Sequence, residues 1–591
     1  MPFRTSSRWL IFAVWCAAST AVFAASPAPD ATSAAAEPPQ SLFNADFGRY
    51  FADVAADELQ GRAPATTGEE KTLQYIERHF QQLGLTPLPK GLGVATHPYR
   101  QAVPVVQIDP VQVSSLTLSP TAAPSTEPST QRDQAQTQPR HALPSRLGYK
   151  TDMMAWSTRM LPKVDVSNSD MVFVGYGIVA PEYGWNDYQG VDVKGKTVVM
   201  FVNDPGFATG NPALFTGKAM TYYGRWTYKF EEAARQGAAM ALIIHETDAA
   251  AYGWNVVSGT SPIRFELADP NKNLHKAAVE GWLTRDAAAA IFAAQGETID
   301  SMKQKALRKD FRALPLHAQA SISIKNNLRS IDSHNVVAMI PGSKRPDEAV
   351  LYMAHWDHFG FDFSRKDDKV FNGAQDNAGG IAGLLALADK YAQDVQQGKG
   401  PERSVVFIAF TAEERGMLGS RWYAKHPAIA LKNTVAGINM DVMNVYGPMR
   451  DVQVFGYGSS ELEPLLAKYA KAQQREITPE PTPEDGFYYR SDHFQLARFG
   501  VPMLYARGGV DSVEHGKDWG LAQRRDYTAN YYHKVNDEFN PAWDLRGAQQ
   551  DLWLFYQVGH ELANSSQWPN WYDGKEFKAA RDQARAATTA N

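Results

Sequence analysis

Cysteine is almost missing from this chain of 591 residues, where Cys16 is the only one. It lies in MPFRTSSRWLIFAVWCAASTAVFAA, in which Arg4 and Arg8 precede an apolar stretch from Trp9 to Phe23 and small residues follow. That layout is expected of an export signal over residues 1–24, cut after Ala24 and too short for a membrane anchor. The mature chain would then hold no cysteine, which excludes disulfides and a thiol nucleophile. Past the signal no apolar run approaches the roughly 20 residues of a spanning helix, so an exported, periplasmic or extracellular protein with no membrane partner is expected. An excess of one charge is also lacking: 59 Lys and Arg against 64 Asp and Glu leave −5, which gives no electrostatic ground for binding nucleic acid. There is no G-x-S-x-G, which argues against a serine hydrolase, no dinucleotide fingerprint and no internal repeat.

What is present is the balance of a folded protein, 44% hydrophobic and 21% charged, in a chain long enough for two or three domains. Residues 25–40 are rich in Ala, Pro and Ser and read as a flexible leader. Residues 41–100 read as helical, with Leu73, Ile76, Phe80 and Leu83 on one stripe of an amphipathic helix. Residues 101–164 read as a linker carrying a disordered insertion over 119–144, which is poor in apolar residues. Residues 165–310 read as a small β-rich module with some helix. From 330 to 570 the apolar runs NVVAMI, AVLYMA, SVVFIAF, TVAGINM and VPMLYA alternate with helical segments, the pattern of a largely parallel sheet covered on both faces. Residues 571–591 read as a C-terminal tail.

In open α/β sheets the ligand crevice lies beyond the carboxyl ends of the strands. His355 and Asp357 follow AVLYMA, Glu413 and Glu414 follow SVVFIAF, and Asp441 follows TVAGINM, so three strands deliver ionisable groups to one edge. Asp376 opens DNAGGIAGLL, whose glycines allow close backbone approach, and His533 stands in the polar, aromatic stretch YYHKVNDEF. Imidazoles and carboxylates are the donors that borderline divalent metals such as zinc take. Carboxylates this dense repel one another when empty, and two cations sharing a bridging carboxylate at about 3.5 to 4 Å would neutralise them.

At these residues the chain resembles the secreted zinc aminopeptidases of peptidase family M28, over about 330–565 together with the helices of 45–90. The module is similar to a protease-associated domain in GKTVVMFVNDPG followed by KFEEAARQGAAMALIIH. The resemblance implies a three-layer α/β/α zinc-peptidase fold with a mixed, largely parallel sheet and an inserted β-rich domain like the protease-associated one. It further implies two Zn2+ ions per chain, peptide substrates, and hydrolysis by a metal-bridging hydroxide. On that pattern Asp376 bridges the ions, His355 and Asp441 hold one, Glu414 and His533 hold the other, and Glu413 is the general base. Asp357 then fits as the group orienting His355 through its second ring nitrogen, and Tyr532 as a donor to the tetrahedral oxyanion.

For the substrate pocket the Tyr-rich stretch GFYYRSDHF offers Phe487, Tyr488, Tyr489, Asp492 and His493, with Tyr531 beside the last ligand. His358 reads as a structural hydrogen-bonding residue. Carboxypeptidase or dipeptidase action on the same scaffold, a glutaminyl cyclase with one zinc and a metal-free receptor-like protein remain as alternatives to an aminopeptidase.

Overall fold

The computed structural model describes residues 44–121, 141–259 and 261–589. The expected export signal and leader lie outside them, as does the insertion from 122 to 140, while Ser119 and Pro120 end a strand, Leu116–Pro120.

The apolar runs of the C-terminal half form the centre of the sheet. Every residue of Arg403–Phe410 and Thr434–Asn439 is buried, as is the stretch Ala349–His355 that completes the strand Arg345–His355. Strands buried on both faces are stable only between two layers of other elements, and the side chains alternate accordingly. Val350, Tyr352 and Ala354 enter a core with Phe47 and Phe51 of the helix Asn44–Val54, Leu384 of Gly379–Gln396 and Leu552 of Arg546–Asn564. Leu351 and Met353 enter a second core on the other face with Tyr423, Phe494 and Phe577. The result is a three-layer α/β/α arrangement.

Arg345–His355 pairs in parallel with Arg403–Phe410 on one side and with Thr434–Asn439 on the other, and the latter pairs in parallel with Met503–Gly508. In this register His355 stands opposite Phe410, Met353 opposite Asn439, and Asn439 opposite Tyr505. The flanking strands Leu314–Ile340 and Asp451–Val454 run antiparallel, so the sheet is mixed.

Three expected boundaries fail. Residues 101–164 are not a linker: Arg100–Val113 is a strand paired along Leu314–Ile340, and Arg146–Leu147, Met153–Trp156 and the start of Lys163–Phe173 are strands as well. Pro104 sits within the inward alternation of Val103 and Val105, and Pro110 follows buried Ile108, so the two prolines mask the strand. The module and the peptidase part do not separate between 310 and 330, because the strand Leu314–Ile340, of 27 residues, runs through both. Within the module Lys163–Phe173, Thr197–Phe201, Met240–Ile244 and Val279–Leu283 pair in parallel in that order, with helix Trp226–Arg235 beside them.

Nor do the described residues of the expected C-terminal tail, 571–589, stand apart from the fold: Trp571 and Phe577 enter the second core. Arg581 of helix Lys578–Thr589 is 2% exposed and donates to the carbonyls of Thr434 (2.9 Å) and Val435 (3.0 Å). The apolar residues of this helix are all alanines, so no stripe of large side chains marked it for docking. No helix among the described residues is long and apolar enough to cross a membrane.

Arg581→Ala should strand those buried carbonyls and cost about 2 to 4 kcal/mol. Urea unfolding followed by fluorescence measures this, and an unchanged midpoint would show that the C-terminal helix contributes nothing to the sheet.

Candidate metal centre

The parallel register brings His355, Glu413, Glu414 and Asp441 to the same edge, each one to four residues beyond its strand's apolar run. Asp376 arrives from the segment Ala374–Ala378 that leads into helix Gly379–Gln396. The amide of Asn377 donates to Met440 O (2.9 Å), tying that segment to the strand that presents Asp441. Gly380 is required here, since a Cβ would stand 2.6 Å from the same carbonyl. His533 follows helix Lys517–Asn530 with a left-handed φ of 58°.

Asp376 lies between two imidazoles. Its Oδ1 is 3.2 Å from His355 Nε2 and its Oδ2 is 3.1 Å from His533 Nε2. His355 Nε2 is also 3.5 Å from Asp441 Oδ1, and His533 Nε2 is 3.2 Å from Glu414 Oε2. Left to themselves these groups pair as imidazolium and carboxylate. Burial opposes charge on His355, but Asp376 and Asp441 outweigh it and hold the imidazole well above its usual value. Burial likewise opposes charge on His533, yet Glu414 and Asp376 carry it up to about 9. Asp376 is buried too, and the two histidines hold it well below the usual carboxylate range.

The donor set fits two divalent cations. Separations of 3.1 to 3.5 Å between donor atoms match the edge of a tetrahedron, about 3.3 Å, around a metal with ligands near 2.0 to 2.1 Å. Among the described residues the potential metal-holding clusters are His355, Asp376 and Asp441, and His358, Asp376 and Glu414. In the second cluster His358 Nδ1 is 2.7 Å from Glu414 Oε1 and its Nε2, buried, has no hydrogen-bond partner.

Two expectations change in detail. The Asp357 carboxylate does not reach His355: Nδ1 is 3.9 Å from Oδ1 but 3.1 Å from the carbonyl oxygen of Asp357. The fully buried carboxylate instead accepts the backbone N–H of Glu413 (2.9 Å) and of Glu414 (3.4 Å), so it fixes the neighbouring loop. The expected pocket residues Tyr488, Tyr489, Asp492 and His493 are 5%, 8%, 0% and 0% exposed and line no part of the cleft. The tight turn Phe487–Tyr489 and helix His493–Ala497 rotate them into the core: Tyr489 Oη donates to Glu576 (2.6 Å), and His493 packs on Tyr488 and Tyr505. Asp492 lies behind the ligand set, where burial pushes its carboxyl up to about 7.

The cleft itself is a cavity of about 1590 Å3 between the ligand cluster and the module. Glu413, Tyr532, Phe487 and Phe494 line it on one side, and Trp226, Phe230 and Arg264 of the module on the other. Burial, then Glu414 and Asp492, raise Glu413 well above the usual carboxylate range, which makes it a proton acceptor of increased basicity. Tyr532 stacks on His533 at 3.8 Å between ring centroids, and burial keeps its phenol protonated.

Sequence reasoning missed Arg62. Fully buried, it donates to Val54 O (2.8 Å), Trp356 O (2.9 Å), Asn372 O (2.5 Å) and Gly373 O (2.9 Å), which belong to the first helix and to the two loops carrying His355 and Asp376. Burial lowers it to about 10, and Asp537, Asp357 and Asp376 hold it charged at neutral pH. Asp537 was missed as well: its carboxylate accepts the N–H of Gln375 (3.0 Å) and of Asp376 (3.1 Å).

Residues 335–556 match the model of peptidase family M28. The aminopeptidase NAALADL1 of Mus musculus is 30% identical over 132 residues, which are 22% of this chain and 16% of that protein. The probable glutamate carboxypeptidase VP8 of Zea mays is 24% identical over 297 residues, 49% of this chain and 39% of that protein. The chain thus spans well under half the length of these curated relatives. An aminopeptidase from Aneurinibacillus sp. strain AM-1 is a structural neighbour with a TM-score of 0.47 and 17% identity, covering 90% of this chain and 97% of its own. Residues 335–556, which hold every proposed ligand, thus carry the pattern of a peptidase family M28 domain.

Proposed function

We propose that the protein is an exported di-zinc aminopeptidase that releases N-terminal residues from peptides. The observation that carries the reading is the Asp376 carboxylate, whose two oxygens face two separate donor sets. His355 and Asp441 would hold one ion, His533 and Glu414 the other, with His358 fixing the free oxygen of Glu414. Bound zinc supplies the Lewis acid that polarises a peptide carbonyl and makes water nucleophilic near neutral pH. Glu413, which is open to the cavity beside the ligand set, takes the proton from water and passes it to the departing amine. Tyr532 donates its phenolic hydrogen to the oxyanion that develops on the carbonyl oxygen. Asp357, Asp537 and Arg62 hold the loops so that the donors converge without adjustment, and the module, like a protease-associated domain, forms the far wall of the cleft.

The mammalian aminopeptidase among the relatives supports release from the amino end, and the plant protein named as a carboxypeptidase keeps the opposite polarity as the second reading. Peptides blocked at either end decide between them: hydrolysis that survives a C-terminal block, fails with an N-terminal block and stops on chelation is expected. Cleavage of N-acetylated peptides at the carboxyl end would reverse the assignment.

Three variants test the roles. Glu413→Gln should keep its zinc, measured by atomic emission, and lose roughly 10²- to 10⁴-fold in kcat; near-normal turnover would remove Glu413 as the base. Asp376→Ala should lose both ions on gel filtration, whereas retention of two would place the bridge elsewhere. Arg62→Lys keeps the charge but cannot span three segments, so zinc should pass to a competing chelator at least about tenfold more readily, with a lower Tm. Wild-type zinc affinity in that variant would limit Arg62 to packing.

A further inference from the structure

The cavity walls away from the ligand cluster carry arginines that make no ion pair within 4 Å, although Arg507 lies in the field of Glu480 on the same wall. Arg498 and Arg421 are ion-paired, to Glu231 (2.8 Å) and Glu266 (3.3 Å). Arg225 of the module and Arg490 and Arg507 of the peptidase part line the same cavity and make no ion pair among the described residues. Arg225 is 8% exposed. Its Nε, the Nε and Nη2 of Arg490, and the Nε of Arg507 are buried with no hydrogen-bond partner. The guanidinium of Arg490 is steadied over the Phe487 ring at 5.0 Å and that of Arg507 over Phe455 at 5.1 Å, contacts that leave the N–H forks free.

Arg225 and Arg490 come from the two halves of the molecule and are near enough to repel. Burial first, then Arg490, push Arg225 down to about 9. A fold seldom keeps unpaired guanidinium donors out of water, because removing them from water costs more than packing returns. Donors placed in this way suit a planar anion, since a carboxylate accepts two parallel N–H groups from such a fork.

Resting on the peptidase reading of the site, we propose that Arg225 and Arg490, with Arg507 beside them, form a subsite for a carboxylate of the bound peptide, so that the enzyme selects short or acidic peptides. The carboxylate is either the C-terminus of a short substrate or an Asp or Glu side chain beyond the scissile bond. Binding it would join module and peptidase part through one ligand.

The test uses the full chain, zinc-loaded and carrying Glu413→Gln so that peptides persist, with calorimetry of Leu-Gly-Gly against its C-terminal amide and of Leu-Gly-Glu-amide against Leu-Gly-Gln-amide. The charged member of at least one pair should bind about tenfold tighter or more, and which pair does so names the source of the carboxylate. Adding Arg225→Gln and Arg490→Gln should bring that ratio towards one, and Arg225→Lys should lower it in part. Because the forks are unpaired, Tm in these variants should stay the same or rise. Equal affinity within both pairs, a ratio that survives the double substitution, or a Tm drop of several degrees would each overturn the subsite. Tight binding of the acids by a wild-type protein that cleaves none of them would leave the subsite standing and remove the aminopeptidase reading instead.

Discussion

The parallel pairing of Arg345–His355 with a strand on each side is the constraint on which the rest depends. Parallel strands finish at the same edge, so a register set by buried Val, Ile and Phe side chains decides where polar residues after them emerge. His355 sits level with Phe410, and the acids that follow Phe410 and Asn439 have no other side of the molecule to occupy. Core packing thereby performs the first act of site construction.

The second act is electrostatic. Glu413, Glu414, Asp441, Asp376 and Asp357 crowd one region whose interior positive charge comes from His355, His533 and the guanidinium of Arg62. Arg62 spends its donors on carbonyls and not on carboxylates, so it offsets the acids at a distance without competing for the oxygens that face the cleft. The Asp357 carboxylate is used in the same way, on the backbone of the loop that bears Glu413. Charged side chains bonded to main chain fix loop positions while the oxygens of Asp376 and Glu414 stay turned to the cleft.

The central strands, the helix after Asp376 and the convergence of the proposed ligands were legible in the sequence because they follow from short-range patterns: buried runs and what comes directly after them. What was not legible depends on side-chain direction or on partners far along the chain. Tyr488 and Tyr489 look like a cleft wall in one dimension, yet a single tight turn sends them into the core and leaves Phe487 and Arg490 facing outward. Arg62 precedes its nearest loop partner by almost three hundred positions. Arg100–Val113 escaped notice because two prolines interrupt an alternation that pairing with a distant strand makes stable.

That distant strand, Leu314–Ile340, has a mechanical corollary. Its first half is hydrogen-bonded to the module at Lys163–Phe173, and its last residues border the catalytic sheet at Arg403–Phe410. The ribbon is bent at a register shift between Lys325 and Asn326, yet it is hydrogen-bonded on both sides of that bend, so the two walls of the cleft are joined by one beam and not by a flexible tether. Lengthening the beam by one residue would displace a wall by about 3.3 Å and turn alternate side chains over. Natural variation in cleft width should therefore be sought in the loops above the ribbon, whose length can drift, and not in the ribbon.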